Sequence, residues 1–325
     1  MTERVAIILA AGVSSRMNTK LPKVLHEVCG RPMLAYVLDA CRTAGVEKLY
    51  VVVGYGSENV KERFCSEQDL IWIEQAEQKG TAHAVLCCKE QLKDFAGQTL
   101  ILCGDGPLIR AETLQIIIDT HQAENPAATL GTVILDDPTG YGRIVRDAYG
   151  NIQGIIEHND CTDEQLKVRE VNPSYYLFNN KILFEFLEKV QPNNVKNEYY
   201  LTDVISIILS EGRKIAAVTV VRPEEAMGVN SREQLSVVGK IMQSRIQQKL
   251  LGDGVTIVDP ENTWIDARAT IGQDTLIEPF TYIHGDVKIG RDCRIGPMAY
   301  IGDGTVLDDG TIIKPGSVTG QVNGG

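Results

Sequence analysis

No stretch of this 325-residue chain approaches the roughly 20 consecutive apolar residues of a membrane-spanning helix, so no membrane partner is expected. The first apolar run, "VAIILAAG", is too short for a signal peptide and has no basic segment before it, so it reads as an interior strand. Eight cysteines are present without a single CxxC pair, which argues against a zinc site or a disulfide framework. They sit mostly inside apolar runs, as buried thiols do in a reducing compartment, and the expected address is the cytoplasm. An excess of basic charge is also missing. Lys and Arg number 32 against 43 Asp and Glu, and the net charge of -11 would repel nucleic acid. An anionic small substrate meets the same repulsion and needs a local cationic pocket, a metal ion, or both. The five histidines lie apart in sequence and offer no dyad; His26, His83 and His158 read as structural.

The chain is long enough for two domains, each able to bury a core. From Val5 to about Leu135, the runs "VAIILA", "KLYVVVG", "LIWIEQ", "TLILCGD" and "ATLGTVIL" alternate with amphipathic segments. Those segments include "MLAYVLDACRTAG", "GTAHAVLCCKEQL" and "AETLQIIIDTHQAE". Continuously apolar strands separated by helices predict an α/β fold with a parallel sheet covered on both faces. Such a sheet places ligands beyond the carboxyl ends of its strands. After Pro138, "GRIVRDAYGNIQGIIEH" predicts a hairpin turning at Tyr149-Gly150-Asn151, and "VNPSYYLFN" a further strand. "YYLTDVISIILSEG" has helical spacing and a Gly stop, and a helix from Ser231 to about Leu251 opens on the capping-box pattern Ser231-x-x-Gln234.

The second half is a repeat. Ile265, Ile271, Ile277, Ile283, Ile289, Ile295, Ile301, Leu307 and Ile313 follow one another at a six-residue spacing. Four positions after each stands a compact residue: Ala269, Thr275, Thr281, Val287, Cys293, Ala299, Thr305, Thr311 and Ser317. A triangular prism explains this period, with the aliphatic residue inward and the compact one at each tight corner. That is the pattern of a hexapeptide left-handed parallel β-helix. The expected organisation is residues 1–230 as the first domain, 231–252 as a linker helix, 253–318 as the β-helix and 319–325 as a polar tail.

The stretch "LAAGVSSRMNTKLPKVL" follows the first strand directly. Ala10, Ala11 and Gly12 leave backbone groups open to close approach by a nucleobase or a phosphate. Arg16, and Lys23 behind the rigid Pro22, supply positive charge where a polyphosphate would lie. The segment carries neither GxxxxGK[ST] nor GxGxxG, and by itself it also fits an ordinary solvated loop.

"LAAGVSSRM…LPKVL" is followed in order by "QAEQKGTAHA", "CGDGPLI", "DDPTGYGRI", "GIIEHNDCTDEQ", "NEYYLTD" and "GVNSREQL". The series resembles the sugar-1-phosphate nucleotidyltransferases, and within them the N-acetylglucosamine-1-phosphate uridyltransferases. The likeness covers essentially all of residues 4–252, and the hexapeptide half matches how that family continues. It implies a Rossmann-like mixed, mainly parallel sheet followed by a short left-handed β-helix that trimerises. It also implies a Mg²⁺-dependent enzyme making UDP-N-acetylglucosamine, a cell-wall precursor, and pyrophosphate from UTP and N-acetylglucosamine-1-phosphate.

The resemblance assigns Arg16 and Lys23 to the triphosphate as catalytic cations. It assigns Leu9, Ala10, Ala11, Gly12, Gln75, Gly80, Thr81, Cys103 and Gly104 to the nucleotide. Gly142, Glu157, Asn172, Tyr199 and Thr202 would line the sugar pocket, while Asp105 and Asn230 would hold Mg²⁺. Read alone, Gln75 could be a surface amide, Asp105 a helix cap and Asn230 a turn residue. Two departures from the family pattern flank the sugar pocket. Gly106 stands where a bulkier residue is usual, and Pro173 and Ser174 stand where Thr and Gly are usual. They leave open a different sugar-1-phosphate.

The relatives use distal β-helix coils to acetylate glucosamine-1-phosphate with acetyl-CoA. Here the repeats run to about Ser317 and His284 is the half's only histidine, so a scaffold is expected in preference to an acyl-transfer site. A non-catalytic sugar-nucleotide sensor is the remaining alternative, and the set Arg16, Lys23, Asp105 and Asn230 argues against it.

Overall fold

The computed structural model describes residues 2–12 and 15–320. The chain divides into two compact units, one built from residues up to 26 together with 33–232, the other from 27–32 together with 233 onward. The 27–32 piece of the second unit was invisible in the repeat pattern.

In chain order, the first unit opens with β1 (Arg4–Ala10). The hairpin β2 (Glu27–Val28) and β3 (Arg31–Pro32) belongs to the second unit. The first unit resumes with α1 (Met33–Thr43), β4 (Lys48–Val53), α2 (Ser57–Arg63) and β5 (Leu70–Glu74). Then come α3 (Thr81–Leu86), α4 (Lys89–Leu92), β6 (Gln98–Cys103), α5 (Ala111–Glu124) and β7 (Ala128–Ile134). It continues with β8 (Gly142–Arg146), β9 (Ile152–Ile156), α6 (Asp163–Leu166), β10 (Glu170–Asn179), α7 (Asn180–Leu187), α8 (Leu201–Ser210) and β11 (Ile215–Thr219).

The sheet order is β11-β7-β10-β6-β1-β4-β5, with β8 and β9 branching from β10. β6, β1, β4 and β5 are mutually parallel, whereas β10 runs antiparallel to both β6 and β7. The strands are buried almost end to end, so their apolar runs are continuous, with hydrophobic clusters on both faces of the sheet. The segment expected as one helix over "GTAHAVLCCKEQL" is two short ones. The bond from Cys88 N to Val85 O tightens the turn between them.

In the second unit, α9 (Arg232–Gly252) precedes eleven two-residue strands, from β12 (Thr256–Ile257) to β22 (Val318–Thr319). The strands stack in three parallel sheets, one for each side of the prism. Partners lie 18 positions apart, as Ile265 with Ile283 and Ile283 with Ile301. In the first coil Ile257 pairs with Ile277, and the Pro260–Asn262 turn takes up the two extra residues.

Ile265, Ile277, Ile283, Ile295 and Ile301 are wholly buried. The corner threonines are chosen for their hydroxyls. Thr281 Oγ1 donates to Glu278 O at 2.7 Å, and Thr275 Oγ1 donates to Gly290 O at 2.9 Å. α9 is joined to the prism by Gln243, which exchanges two bonds with the Ile265 backbone, and by Gln247, which donates to Pro260 O and Thr263 O. Gly30 must be glycine: its φ is +82° and an added Cβ would stand 1.8 Å from Asp266 Oδ2.

Cutting Ile283 to Ala leaves a cavity between three sides of the prism and should cost about 2–5 kcal/mol, read as a lower denaturant midpoint. An unchanged midpoint would mean that the inward aliphatic column does not hold the prism together.

Candidate functional site

Four parallel strands deliver their carboxyl ends to one edge of the first unit. Leu9 pairs with Cys103 across β1 and β6, Ala10 with Val53 across β1 and β4, and Val53 with Glu74 across β4 and β5. Because β10 is antiparallel, its early residues arrive at the same edge. The result is a cleft of about 580 Å³ lined by Leu9, Ala10, Ala11, Gly12, Lys23, Gln75, Gly80, Thr81, Cys103, Asp105 and Glu157, among others. A smaller cavity of about 50 Å³ adjoins it, sharing Leu9, Thr81, Cys103, Glu157 and Ser174 and adding Thr202 and Tyr176.

At the centre of the polar chemistry stands Lys23. Its ammonium donates to Asp105 Oδ2 and, at 2.9 Å, to Asn230 Oδ1. Asp105 comes just after β6, and a carboxylate at a strand end is costly without a partner. Asn230 is brought to it by backbone: Val229 N donates to Asp105 O at 3.0 Å. The same loop is pinned by Tyr141 and Tyr175, whose hydroxyls donate to Ala226 O and Glu225 O. Lys23 itself is fixed at the main chain, with Leu25 N donating to Pro22 O and His26 N to Lys23 O, and with Val24 and Leu25 buried.

Gln75 is not a surface amide. It is 3% exposed, and its Nε2 donates to Gly80 O at 3.2 Å and lies 3.0 Å from His83 Nδ1. Gly80 has φ +110°, and a Cβ there would lie 2.4 Å from Tyr199 O. The backbones of residues 79–82 and 199–201 are laced together. Tyr199 N donates to Lys79 O, Ala82 N to Tyr199 O, and Leu201 N to Thr81 Oγ1.

Glu157 follows β9 and accepts from Thr202 Oγ1 at 3.1 Å; burial pushes its carboxyl above the usual range. Gly142 lies beside it, since an added Cβ would be 3.6 Å from Glu157 Oε2. Asn172 is buried, donating to Tyr176 OH at 2.5 Å and accepting from Ser174 N. Burial also raises the Cys103 thiol to about 12, so it is no nucleophile.

Not every expected residue reaches the cleft. Arg16 is exposed on the short turn Ser15–Met17 and is not among the lining residues; nor are Gly104, Gly142, Asn172, Tyr199, Thr202 and Asn230. Gly142, Thr202 and Asn230 still touch groups that are, while Gly104 packs behind the wall, its N–H donating to Leu9 O.

The lining also includes residues that the sequence reading passed over, Gln78, Lys196, Glu198 and Tyr200, together with the departing Ser174. Lys196, Glu198 and Tyr200 fall in or beside the quoted "NEYYLTD", where only Tyr199 and Thr202 were singled out. His158, read as structural, lines the cleft as well, with Nδ1 3.4 Å from the buried Arg143 guanidinium. The structure shows the surroundings of two of the departing residues. Ser174 has φ +67°, a conformation that favours glycine, and a Cβ on Gly106 would meet only Cys103 O at 3.9 Å, so a larger residue would fit there.

The chain is similar to known proteins in both of its halves. Residues 6–154 match the MobA-like NTP transferase domain, and residues 268–303 match the bacterial transferase hexapeptide model of six repeats. "Bifunctional protein GlmU" of Geobacillus sp. (strain WCH70) is 48% identical over 290 residues, 89% of this chain. That of Listeria monocytogenes serotype 4b (strain CLIP80459) is 45% identical over the same length.

The chain is a homologue of the bifunctional GlmU proteins. It spans 63% of the length of these relatives. The crystal structure of UDP-glucose pyrophosphorylase complexed with UDP-glucose superposes with a TM-score of 0.63 at 17% identity, over 75% of this chain and all of that one. At that identity the likeness is one of fold. The Rossmann-like, mainly parallel nucleotidyltransferase domain and the left-handed β-helix of hexapeptide repeats are thereby both accounted for.

A buried carboxyl beside Glu157 carries an electrostatic cost that pH exposes. Asp203, in the first turn of α8, is raised from 3.8 to about 6 by burial and then by Glu157 and Asp160. Between those values the unfolded chain loses a proton that the folded one retains, so stability falls as pH rises through that window. Asp203→Asn should therefore melt above wild type at pH 7.5, with the two curves converging below about pH 4. A variant that melts lower at pH 7.5 would show that the ionised carboxylate is held by favourable contacts.

Proposed function

We propose that this GlmU homologue is a Mg²⁺-dependent uridylyltransferase that joins UTP and N-acetylglucosamine-1-phosphate, giving UDP-N-acetylglucosamine and pyrophosphate. The observation that carries the reading is the convergence of Lys23, Asp105 and Asn230 at the mouth of a cleft lined by the Leu9–Gly12 backbone. A sugar-1-phosphate oxygen attacks the α-phosphorus of UTP, a new P–O bond forms, and the bond to the bridging oxygen of the leaving pyrophosphate breaks. The attacking phosphate is already anionic, so no general base is required.

The protein's part is positioning and neutralisation of charge. Gly12 and Ala11 present backbone to the nucleoside, and Gln75 and Gly80 stand where the base would be read. Glu157, with Thr202 and Gly142 beside it, faces the sugar. Asp105 and Asn230 offer two hard oxygens at one point, a donor pair suited to Mg²⁺ alongside phosphate oxygens and water. When bound, the ion supplies charge neutralisation at the phosphates.

At an effective dielectric near 20, opposite unit charges about 4 Å apart attract by roughly 4 kcal/mol, so one or two such contacts offset the repulsion of an acidic chain. Arg16, exposed and outside the cleft, takes part in this reading only through a movement toward bound triphosphate.

The free thiols and the lack of any helix long and apolar enough to cross a membrane, among the described residues, are consistent with a cytoplasmic enzyme. The hexapeptide prism supports a homotrimer.

Two measurements test the reading. A panel of sugar-1-phosphates with UTP and Mg²⁺ should release pyrophosphate fastest with N-acetylglucosamine-1-phosphate; a stronger response to another sugar would reassign the substrate. Lys23→Ala should lower kcat by roughly 10²-fold or more, as loss of a preorganised charge contact does. Unchanged turnover would remove Lys23 from the chemistry.

A further inference from the structure

Asp105 and Asn230 lie far apart in sequence, yet their oxygens converge on one ammonium. The Lys23 and Asp105 side chains are 14% and 18% exposed, so this is not a loose surface pair. Two hard oxygens facing a single point of positive charge form part of a cation site. The Lys23 ammonium sits at the point on which those two oxygens converge, so a divalent ion held by both at that point would have to take its place.

We propose that Lys23 is a tethered counter-ion that fills the divalent-cation position of the resting site, so that a metal ion enters only by displacing it. The proposal rests on the reading of Asp105 and Asn230 as metal ligands and adds a role for Lys23 that the reading does not contain.

The composition of the site supports it. Among the described residues, no group of three or more His, Cys, Asp and Glu is arranged to hold a metal. Asp105 and Asn230 contribute two protein oxygens at this point, and a divalent ion needs about six. A free ion would gain those two only by stripping Lys23 of both partners. An ion arriving with a nucleotide brings phosphate oxygens to fill its shell, and these give the displaced ammonium a new partner. Because Pro22, Val24 and Leu25 fix the main chain, only the flexible stem of Lys23 has to move. Metal and nucleotide are thereby coupled, and by reciprocity each favours the other. The arrangement also keeps Asp105 from facing an incoming polyphosphate as a bare negative charge.

The test is Mn²⁺ binding without nucleotide, followed by the electron paramagnetic resonance signal of the free ion. The proteins are wild type, Lys23→Met, Lys23→Arg, Lys23→Gln and the double variant Lys23→Met with Asp105→Asn. Removing a charge-assisted competitor should tighten one Mn²⁺ site roughly tenfold in Lys23→Met. Lys23→Arg, which keeps the charge, should stay close to wild type, and the double variant should lose the gain.

Lys23→Gln serves the same purpose if the methionine variant is poorly folded by circular dichroism. Affinity in Lys23→Met and Lys23→Gln equal to or below wild type, with the double variant weaker than Lys23→Met, overturns the counter-ion role and leaves the metal-ligand reading standing. A double variant that binds as tightly as Lys23→Met removes Asp105 from the metal and overturns both.

Discussion

A carboxylate set at the carboxyl end of a buried parallel strand needs positive charge close by, and in this chain that requirement draws three distant segments together. Asp105 follows β6, Lys23 comes from the loop after β1, and Asn230 ends the loop that precedes α9. The ammonium held between the two oxygens makes the first unit's cleft electrostatically complete in an otherwise acidic protein. Without it, the phosphates of any nucleotide would meet net negative charge both near and far.

The sheet explains why the cleft lies where it does. Parallel pairing of β6, β1, β4 and β5 brings Cys103, Ala10, Val53 and Glu74 to one edge, and the antiparallel β10 turns back to supply Asn172 and Ser174. The left-handed Ser174 and the bulge between Val171 and Tyr175 bend β10 at that edge. Backbone lacing between residues 79–82 and 199–201 closes the far wall, and only glycine fits at position 80. The second unit solves a different problem. Its period of six needs an aliphatic residue inside each side and a hydroxyl or a small group at each corner.

Much of this was legible because the signals are periodic or contiguous. Continuous apolar runs marked all five early strands, and the six-residue spacing marked the prism down to single isoleucines. The strand-end loop "LAAG" and the strand-end Asp105 were visible for the same reason. Other features have no local signature. The hairpin at residues 27–32 belongs to the second unit through contacts such as Ala267 N to Cys29 O, which join residues remote in sequence. Lys23 as the partner of Asp105 depends on side-chain reach, not spacing, so the sequence suggested a phosphate-binding cation and not the ion pair. Lys196 and Tyr200 line the cleft from a segment remote in sequence from the LAAG loop, and His158 lines it without a dyad partner that spacing could show. Arg16 shows the converse: it fits the pattern, but its side chain stands outside the cleft.

The central claim is that one cation position, defined by Asp105 and Asn230, governs how phosphates are received. A crystal structure with Mg²⁺ and UDP-N-acetylglucosamine tests it most directly. The account predicts both oxygens on a single ion, with the Lys23 ammonium moved from between them onto a phosphate. An ion bound elsewhere, with Lys23 still joined to Asp105 and Asn230, would contradict it.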